Sequence, residues 1–304
     1  MLTLRQKEKL APMRADQKRL QTVISGVQAT QRAIQQNEKA YYDREADQNA
    51  IKSYYATIDF KHQTNDELLN SLTEKLQSSH TNKVRYNPTE YVYPLVDLRP
   101  DGKLLNIYSG KSRGAEDVIK EDYETTLSRI QKSKNLPDHD QAQVIKELHH
   151  ITEKLKYNCE HAVPQSWFTE KEPMRGDLHH LFTCEPACNS LRSNYPYHDF
   201  PDYHPDELLS QRIEDECGKI DGELFEPEYG KGPAARAMLY FLIRYPGQIG
   251  KKYRNKIDKK LLLKWHQDFP PDLYEFHRNY TIQKIQGNRN PFIDFPEKMT
   301  EVLS

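Results

Sequence analysis

The chain has 304 residues, with 44 Lys and Arg against 45 Asp and Glu, for a net charge of −1. That length allows one large or two modest domains with a real core. The near-neutral charge excludes binding of nucleic acid through bulk positive charge, so any phosphate contact needs locally clustered basic residues. Hydrophobic content of 36% and a mean hydropathy of −0.92 predict a polar, partly extended portion beside a globular one. No apolar run approaches the roughly 20 residues of a membrane span, so no membrane association is expected.

The opening residues, Met1-Leu2-Thr3-Leu4-Arg5-Gln6-Lys7-Glu8-Lys9, carry charges without a following apolar stretch and do not read as a secretory signal. They predict a cytoplasmic protein, with non-classical export as the alternative. Residues 1–80 read as a polar helical extension broken only at Pro12 and Gly26. Within it Leu20, Val23, Val27, Thr30, Ile34, Asn37 and Tyr41 recur at a 3–4 spacing, a short heptad-like seam. Thr64-Asn65-Asp66-Glu67 reads as a capping box opening a helix with Leu68, Leu69, Leu72 and Leu76 on one side. The extension carries no chemistry. It is expected to pack on the main domain, to self-associate or to meet an inhibitor.

Composition changes near residue 81, where a second domain, 81–304, is expected to begin. Tyr91–Val96 and Leu104–Tyr108 are β-branched and aromatic and predict a strand hairpin across Arg99–Lys103. Residues 115–156 are charged and predict helix, broken at Asn135-Leu136-Pro137. The stretch from Tyr157 to Tyr197 then gathers His, Glu, Asp, Asn and Arg. Asp199 to Glu228 holds eleven acids against Arg212 and Lys219, which is expected either on the face away from substrate or as an acidic flank that limits where nucleic acid can lie. Lys231–Tyr245 is the most apolar helix candidate, starting after Gly-Pro and stopped by Pro246-Gly247. Residues 251–264 carry seven basic residues against Asp258. They are either a solvated helix face or a phosphate-tracking surface led by Lys251, Lys252, Arg254 and Lys256. The four cysteines, Cys159, Cys184, Cys188 and Cys217, are expected to be free thiols or to form one bridge. A structural zinc site is the alternative.

The central stretch suits phosphodiester hydrolysis, which needs an activated water, a stabilised phosphorane charge and a neutralised leaving oxygen. His161 is the candidate base, because an imidazole titrates near neutral pH. Asn189 offers the kind of oxygen that Mg²⁺ accepts. Arg192, three residues on, shares its face if the segment is helical. Glu160 and His161 are adjacent, and adjacent strand residues face opposite ways. Both can serve one site only where the backbone departs from a regular strand. Asp177 and His179, read as one strand face, are expected behind the site, with His179 rather than His180.

These segments resemble the bacterial endonuclease I family. The matching runs are Asn158–Phe168, Gly176–Leu181, Asn189–Asn194, Phe225–Pro227, Lys231-Gly232, Ala235–Ala237, Arg278-Asn279 and Gln286–Asp294. The likeness covers residues 85–297. It implies an α+β fold with a ββα-metal (His-Me finger) core in a largely helical chain. It also implies a low-specificity endonuclease on DNA or RNA, with His161 as base and one Mg²⁺ (or Mn²⁺ or Ca²⁺) on Glu160 and Asn189. The products carry 5′-phosphate and 3′-hydroxyl ends. Asn194 joins Asp177 and His179 behind the site. Some relatives carry a catalytic arginine in an insertion after the His motif. Here only Arg175 lies in that gap, so Arg175 and Arg192 are both clamp candidates. A catalytically silent nucleic-acid-binding protein is the competing reading.

Overall fold

Several helices start at a polar side-chain cap. In the computed structural model, which describes residues 16–135, 158–203 and 217–303, Asp16 caps α1 (Gln17–Gln36), Asp43 caps α2 (Arg44–Tyr54) and Thr64 opens α3 (Asn65–Ser79). At α3 the reciprocal bonds of a capping box both form between Thr64 and Glu67. Strands β1 (Lys103–Leu105) and β2 (Ser112–Gly114) pair antiparallel ahead of α4 (Ala115–Asn135). The central unit follows: β3 (Asn158–His161), β4 (Leu181–Cys184) and α5 (Pro186–Arg192). A third pair, β5 (Gly218–Asp221) and β6 (Leu224–Pro227), leads to α6 (Lys231–Arg244). The chain closes with α7 (Lys251–Arg254), α8 (Lys259–Asp268), α9 (Leu273–Gln286) and α10 (Pro296–Leu303).

The mixture of helices with small antiparallel sheets is an α+β architecture, as the sequence predicts. Two apolar clusters flank the β3–β4 pair. One gathers Leu68, Leu72 and Leu76 of α3 with Phe241 of α6, Trp265 of α8, Phe182 and Met299. The other gathers Val23, Ile24 and Val27 of α1 with Val92, Val96, Ile119, Cys159 and Leu181. Leu68, Leu72 and Leu76 are fully buried in the first cluster, with Leu69 partly buried against it, so this helix helps to build the core. The seam on α1 is likewise spent inside the molecule. Gly26 does not interrupt α1, and a Cβ there would meet nothing within 4 Å.

Three sequence expectations change. Tyr91–Val96 is not a strand: Pro88–Tyr91 is helical and Val92–Val96 continues as a wider π turn. Val92, Tyr93 and Val96 are buried while Leu95 is 41% exposed, a helical spacing that overrides β propensity. Residues 251–264 form two helices rather than one, because Asp258 caps α8 and divides the basic run between α7 and α8. In the acidic stretch, Asp199 pairs with Lys231 and Lys264, and Glu226 is buried against Lys231. The predicted helix break at Asn135-Leu136-Pro137, residues 136–157 and residues 204–216 lie outside the described residues, apart from Asn135 itself.

Candidate active site

Strands β3 and β4 align Glu160 with Phe182 and His161 with Leu181. The ladder runs through His161, its last residue, and Arg192 lies within reach of both candidates: its Nε is 3.4 Å from Oε1 of Glu160, the metal-ligand candidate, and its charge bears on the ring of His161, the candidate base. No strand irregularity precedes His161. The chain leaves the strand directly after it, with Ala162 N–H still donating to the His180 carbonyl at 2.9 Å.

Glu160 is buried at 3% exposure. Its Oε1 accepts from the Tyr108 hydroxyl at 2.8 Å and lies 3.4 Å from Arg192 Nε. Burial pushes its carboxyl up to about 7, against the opposing pull of Arg192 and Tyr108. His161 is also buried, at 5% exposure. Its Nε2 lies 2.9 Å from the Arg175 carbonyl. A carbonyl only accepts, so Nε2 carries the proton and Nδ1 carries the lone pair. Burial, reinforced by His180, holds the imidazolium well below its ordinary range, so the ring is neutral at physiological pH. Tyr86 stacks on it at 5.0 Å with an interplanar angle of 27°.

Arg175 belongs to this side of the site. Its guanidinium lies 5.0 Å over the Tyr86 ring, and its Nε donates to Gln165 Oε1 at 3.0 Å. Gly176 explains the close fit: a Cβ there would stand 2.2 Å from the Val84 carbonyl. Only a glycine lets the segment carrying Tyr86 pass so near.

Arg192 differs from its expected role. It is fully buried, donating to the Ala162 carbonyl at 2.9 Å and the Ser193 carbonyl at 3.1 Å. Its charge lies over the Tyr197 ring at 5.0 Å. Enclosed in this way it is the counter-charge of Glu160, not a phosphate clamp. Asn189, half-buried one turn earlier on α5, shares the helix side that Arg192 turns toward β3.

Asp177 and His179 are not on a strand. Asp177 caps a single 3₁₀ turn, Leu178–His180. The turn swings the two histidines apart: His180, not His179, presents its ring to His161, at 5.3 Å. His179 packs 4.4 Å from the Tyr240 ring and reaches the Asn288 carbonyl. The Asp177 carboxylate accepts from Tyr240, Tyr245 and Gln286. Burial opposes its ionisation, yet His80, His179 and His180 hold its pKa well below the ordinary value. Asn194 secures the loop after His161, its carbonyl accepting from Trp167 Nε1 at 3.2 Å. On the outer side, Gly250 N–H donates to the Trp167 carbonyl at 2.8 Å, and Tyr253 of α7 stacks on the indole at 5.5 Å. Lys251, Lys252 and Arg254 are therefore exposed beside the loop that follows His161. Lys256 pairs with Glu223 at 3.5 Å.

Cys188 and Cys217 form a disulfide, while Cys159 and Cys184 are free and buried. Two of the four thiolates that the zinc alternative requires are thus consumed. Among the described residues, no three His, Cys, Asp or Glu side chains converge as a metal-ligand set.

Tyr86, Tyr108 and Tyr197 contribute to the site without having been singled out as site residues from the sequence. Each comes from outside the motif that it serves, and only the aromatic character of Leu104–Tyr108 and the count of 19 tyrosines hinted at such use.

Comparison with known proteins finds nucleases among the relatives of this chain. A periplasmic deoxyribonuclease of Aeromonas hydrophila is 32% identical over 133 residues, covering 41% of this chain and 50% of that protein. An extracellular ribonuclease of Bacillus subtilis is 32% identical over 163 residues, covering 48% of this chain and 54% of the relative. The chain thus spans about half the length of these curated relatives. Their compartments overturn the cytoplasmic expectation, which rested on the opening residues alone. An intramolecular disulfide also belongs to oxidising surroundings. The endonuclease I profile matches residues 63–297, more than three quarters of the chain, and the chain belongs to the endonuclease I family.

Proposed function

We propose that this chain is a metal-dependent endonuclease of low sequence specificity that hydrolyses DNA, RNA or both. The observation that carries the reading is the neutral His161 ring, tethered through Nε2 to the Arg175 carbonyl, at the strand end that also bears Glu160. The tether leaves Nδ1 free to take a proton from water. A water held there attacks phosphorus as Nδ1 takes its proton, the P–O3′ bond breaks, and the 3′ oxygen takes a proton from a second water, giving 5′-phosphate and 3′-hydroxyl ends.

The donor set fits a hard divalent cation. Glu160 is a buried carboxylate whose own counter-charge does not bring its pKa back to the ordinary range. Asn189 adds a neutral oxygen, and Mg²⁺ takes few protein ligands while keeping several waters. Mn²⁺ or Ca²⁺ accepts the same oxygens. Bound at Glu160 and Asn189, the cation would supply positive charge to a phosphate oxygen and to the leaving oxygen. We assign the phosphate contact to Arg175, which lies on the His161 side of the site, with Lys251, Lys252 and Arg254 extending the basic surface along a strand. In this reading Asp177, His179 and Asn194 act behind the site by fixing the loops around it. The names of the relatives and the Cys188–Cys217 bridge support a secreted or periplasmic setting.

The test is cleavage of a supercoiled plasmid and a matched RNA with Mg²⁺, with EDTA, and by His161→Ala. EDTA should stop cleavage, and the substitution should slow it by about 10²–10⁴. Cleavage undiminished in His161→Ala would remove the base from His161. Relative rates on the two polymers decide the substrate, and mapping of the ends checks which oxygen leaves.

A further inference from the structure

Tyr108 lies outside every segment that bears the proposed chemistry, in the turn after β1. Its fully buried hydroxyl donates to Glu160 Oε1 at 2.8 Å and meets the Tyr197 hydroxyl at 2.8 Å. A hydroxyl has one proton. Tyr108 uses it on the carboxylate, so Tyr197 donates to Tyr108 in turn. Arg192 Nε approaches the same carboxylate oxygen at 3.4 Å. The side-chain contacts found to Glu160 among the described residues therefore converge on Oε1.

The turn that carries Tyr108 is itself held at several points. Tyr108 N–H donates to Asn106 Oδ1 at 3.0 Å, and its carbonyl accepts from Tyr229 N–H at 2.8 Å. Phe225 packs edge-on against the ring at 5.0 Å. Ile107 N–H donates to the Thr183 carbonyl of β4 at 3.0 Å. Asn106 Nδ2 donates at 2.8 Å to Glu185, the residue that opens α5. One three-residue turn thus grips the carboxylate on β3, the partner strand β4 and the head of the helix bearing Asn189.

We propose that Tyr108 is a positioning residue for the divalent cation: its hydroxyl pins Glu160 Oε1 and so turns Oε2 toward the ion. The inference rests on the reading of Glu160 as a metal ligand. Partners that orient a ligand are worth about 10–100-fold in metal affinity or activity, and a rigid turn that joins both ligand-bearing elements is suited to that role.

The test is binding of Mn²⁺ alone to the full chain by titration calorimetry, for wild type, Glu160→Ala, Tyr108→Phe and Tyr197→Phe. Wild type should bind Mn²⁺, and Glu160→Ala should lose that site. Tyr108→Phe should bind on the order of tenfold more weakly, with cleavage at low Mg²⁺ recovered by adding more of the ion. Tyr108→Phe that matches wild type, while Glu160→Ala does not bind, overturns the role of Tyr108 and leaves the metal ligand standing. Wild type that binds no Mn²⁺ overturns the reading of Glu160 and the inference with it. If Tyr108→Phe does not fold, Tyr197→Phe decides, since it frees the hydroxyl that Tyr197 holds. A smaller loss of affinity supports the proposal, and unchanged affinity overturns it.

Discussion

Replacing Arg192 by alanine separates a structural counter-charge from a substrate clamp. Arg192 is 0% exposed and Glu160 3% exposed, so the pair has little water to fall back on. Breaking a buried pair by removing one partner costs roughly 3–5 kcal/mol, because the other charge stays behind uncompensated. The carbonyls of Ala162 and Ser193 also lose a donor, at roughly 0.5–1.5 kcal/mol each when not re-solvated. A loss of about 4–8 kcal/mol is a large share of the roughly 5–15 kcal/mol that holds a domain folded. The deficit also depends on pH. Glu160 has a folded pKa raised from 4.5 to about 7. A raised acid contributes stability below its unfolded value and loses that contribution as pH rises through the folded one. Burial is the main cause of the rise and Arg192 opposes it, so removing Arg192 drives the folded pKa higher. Urea unfolding in EDTA should therefore show a larger deficit at pH 8 than at pH 5. A variant with wild-type midpoints at both pH values, but a strongly raised KM, would refute the counter-charge assignment.

Asp177→Ala removes the acceptor of the Tyr240 and Tyr245 hydroxyls and of one N–H of the Gln286 amide, whose other N–H stays on Asn288. At roughly 1–3 kcal/mol for each unsatisfied buried donor, urea unfolding at pH 7 should show a loss of about 3 kcal/mol or more. The pKa of Asp177 is depressed in the fold, so its contribution is present above the ordinary value of 3.8 and is lost as pH falls. The deficit of the variant should accordingly shrink in acid. Lys251→Ala, Lys252→Ala and Arg254→Ala combined should leave the unfolding midpoint unchanged, because all three side chains are exposed. The plot of log KM against log salt should flatten by roughly one unit for each phosphate that the variant leaves unneutralised, and an unaltered slope would remove α7 from the substrate path.

What was legible in the sequence was local. Thr64 and Glu67 form the box that their spacing predicts, Lys231–Arg244 is the buried helix that its apolar run predicts, and the Glu160-His161 pair lies where a strand ends. What was hidden depended on distant partners. Arg192 looks like a surface arginine until Tyr197, Trp167 and Glu160 close around it. The alternation Asp177-Leu178-His179-His180 mimics a strand, but Asp177 bonds back to His179 N–H and bends the backbone into a 3₁₀ turn. Tyr91–Val96 carries β-forming residues, yet its burial follows a helix because both α1 and α4 pack against it.

The seat of Trp167 also gives the molecule an optical handle. The chain has two tryptophans. Trp265 is buried beside Asp199, its indole N–H reaching that carboxylate at 3.3 Å. Trp167 instead joins the loop after His161 to the base of α7, stacked nearly parallel on Tyr253 at 12°. On the proposed reading, a polymer docked on α7 would bear on that stack. Its emission therefore gives a label-free signal of docking, which in EDTA can be followed apart from any cleavage, with Trp265 as the internal reference.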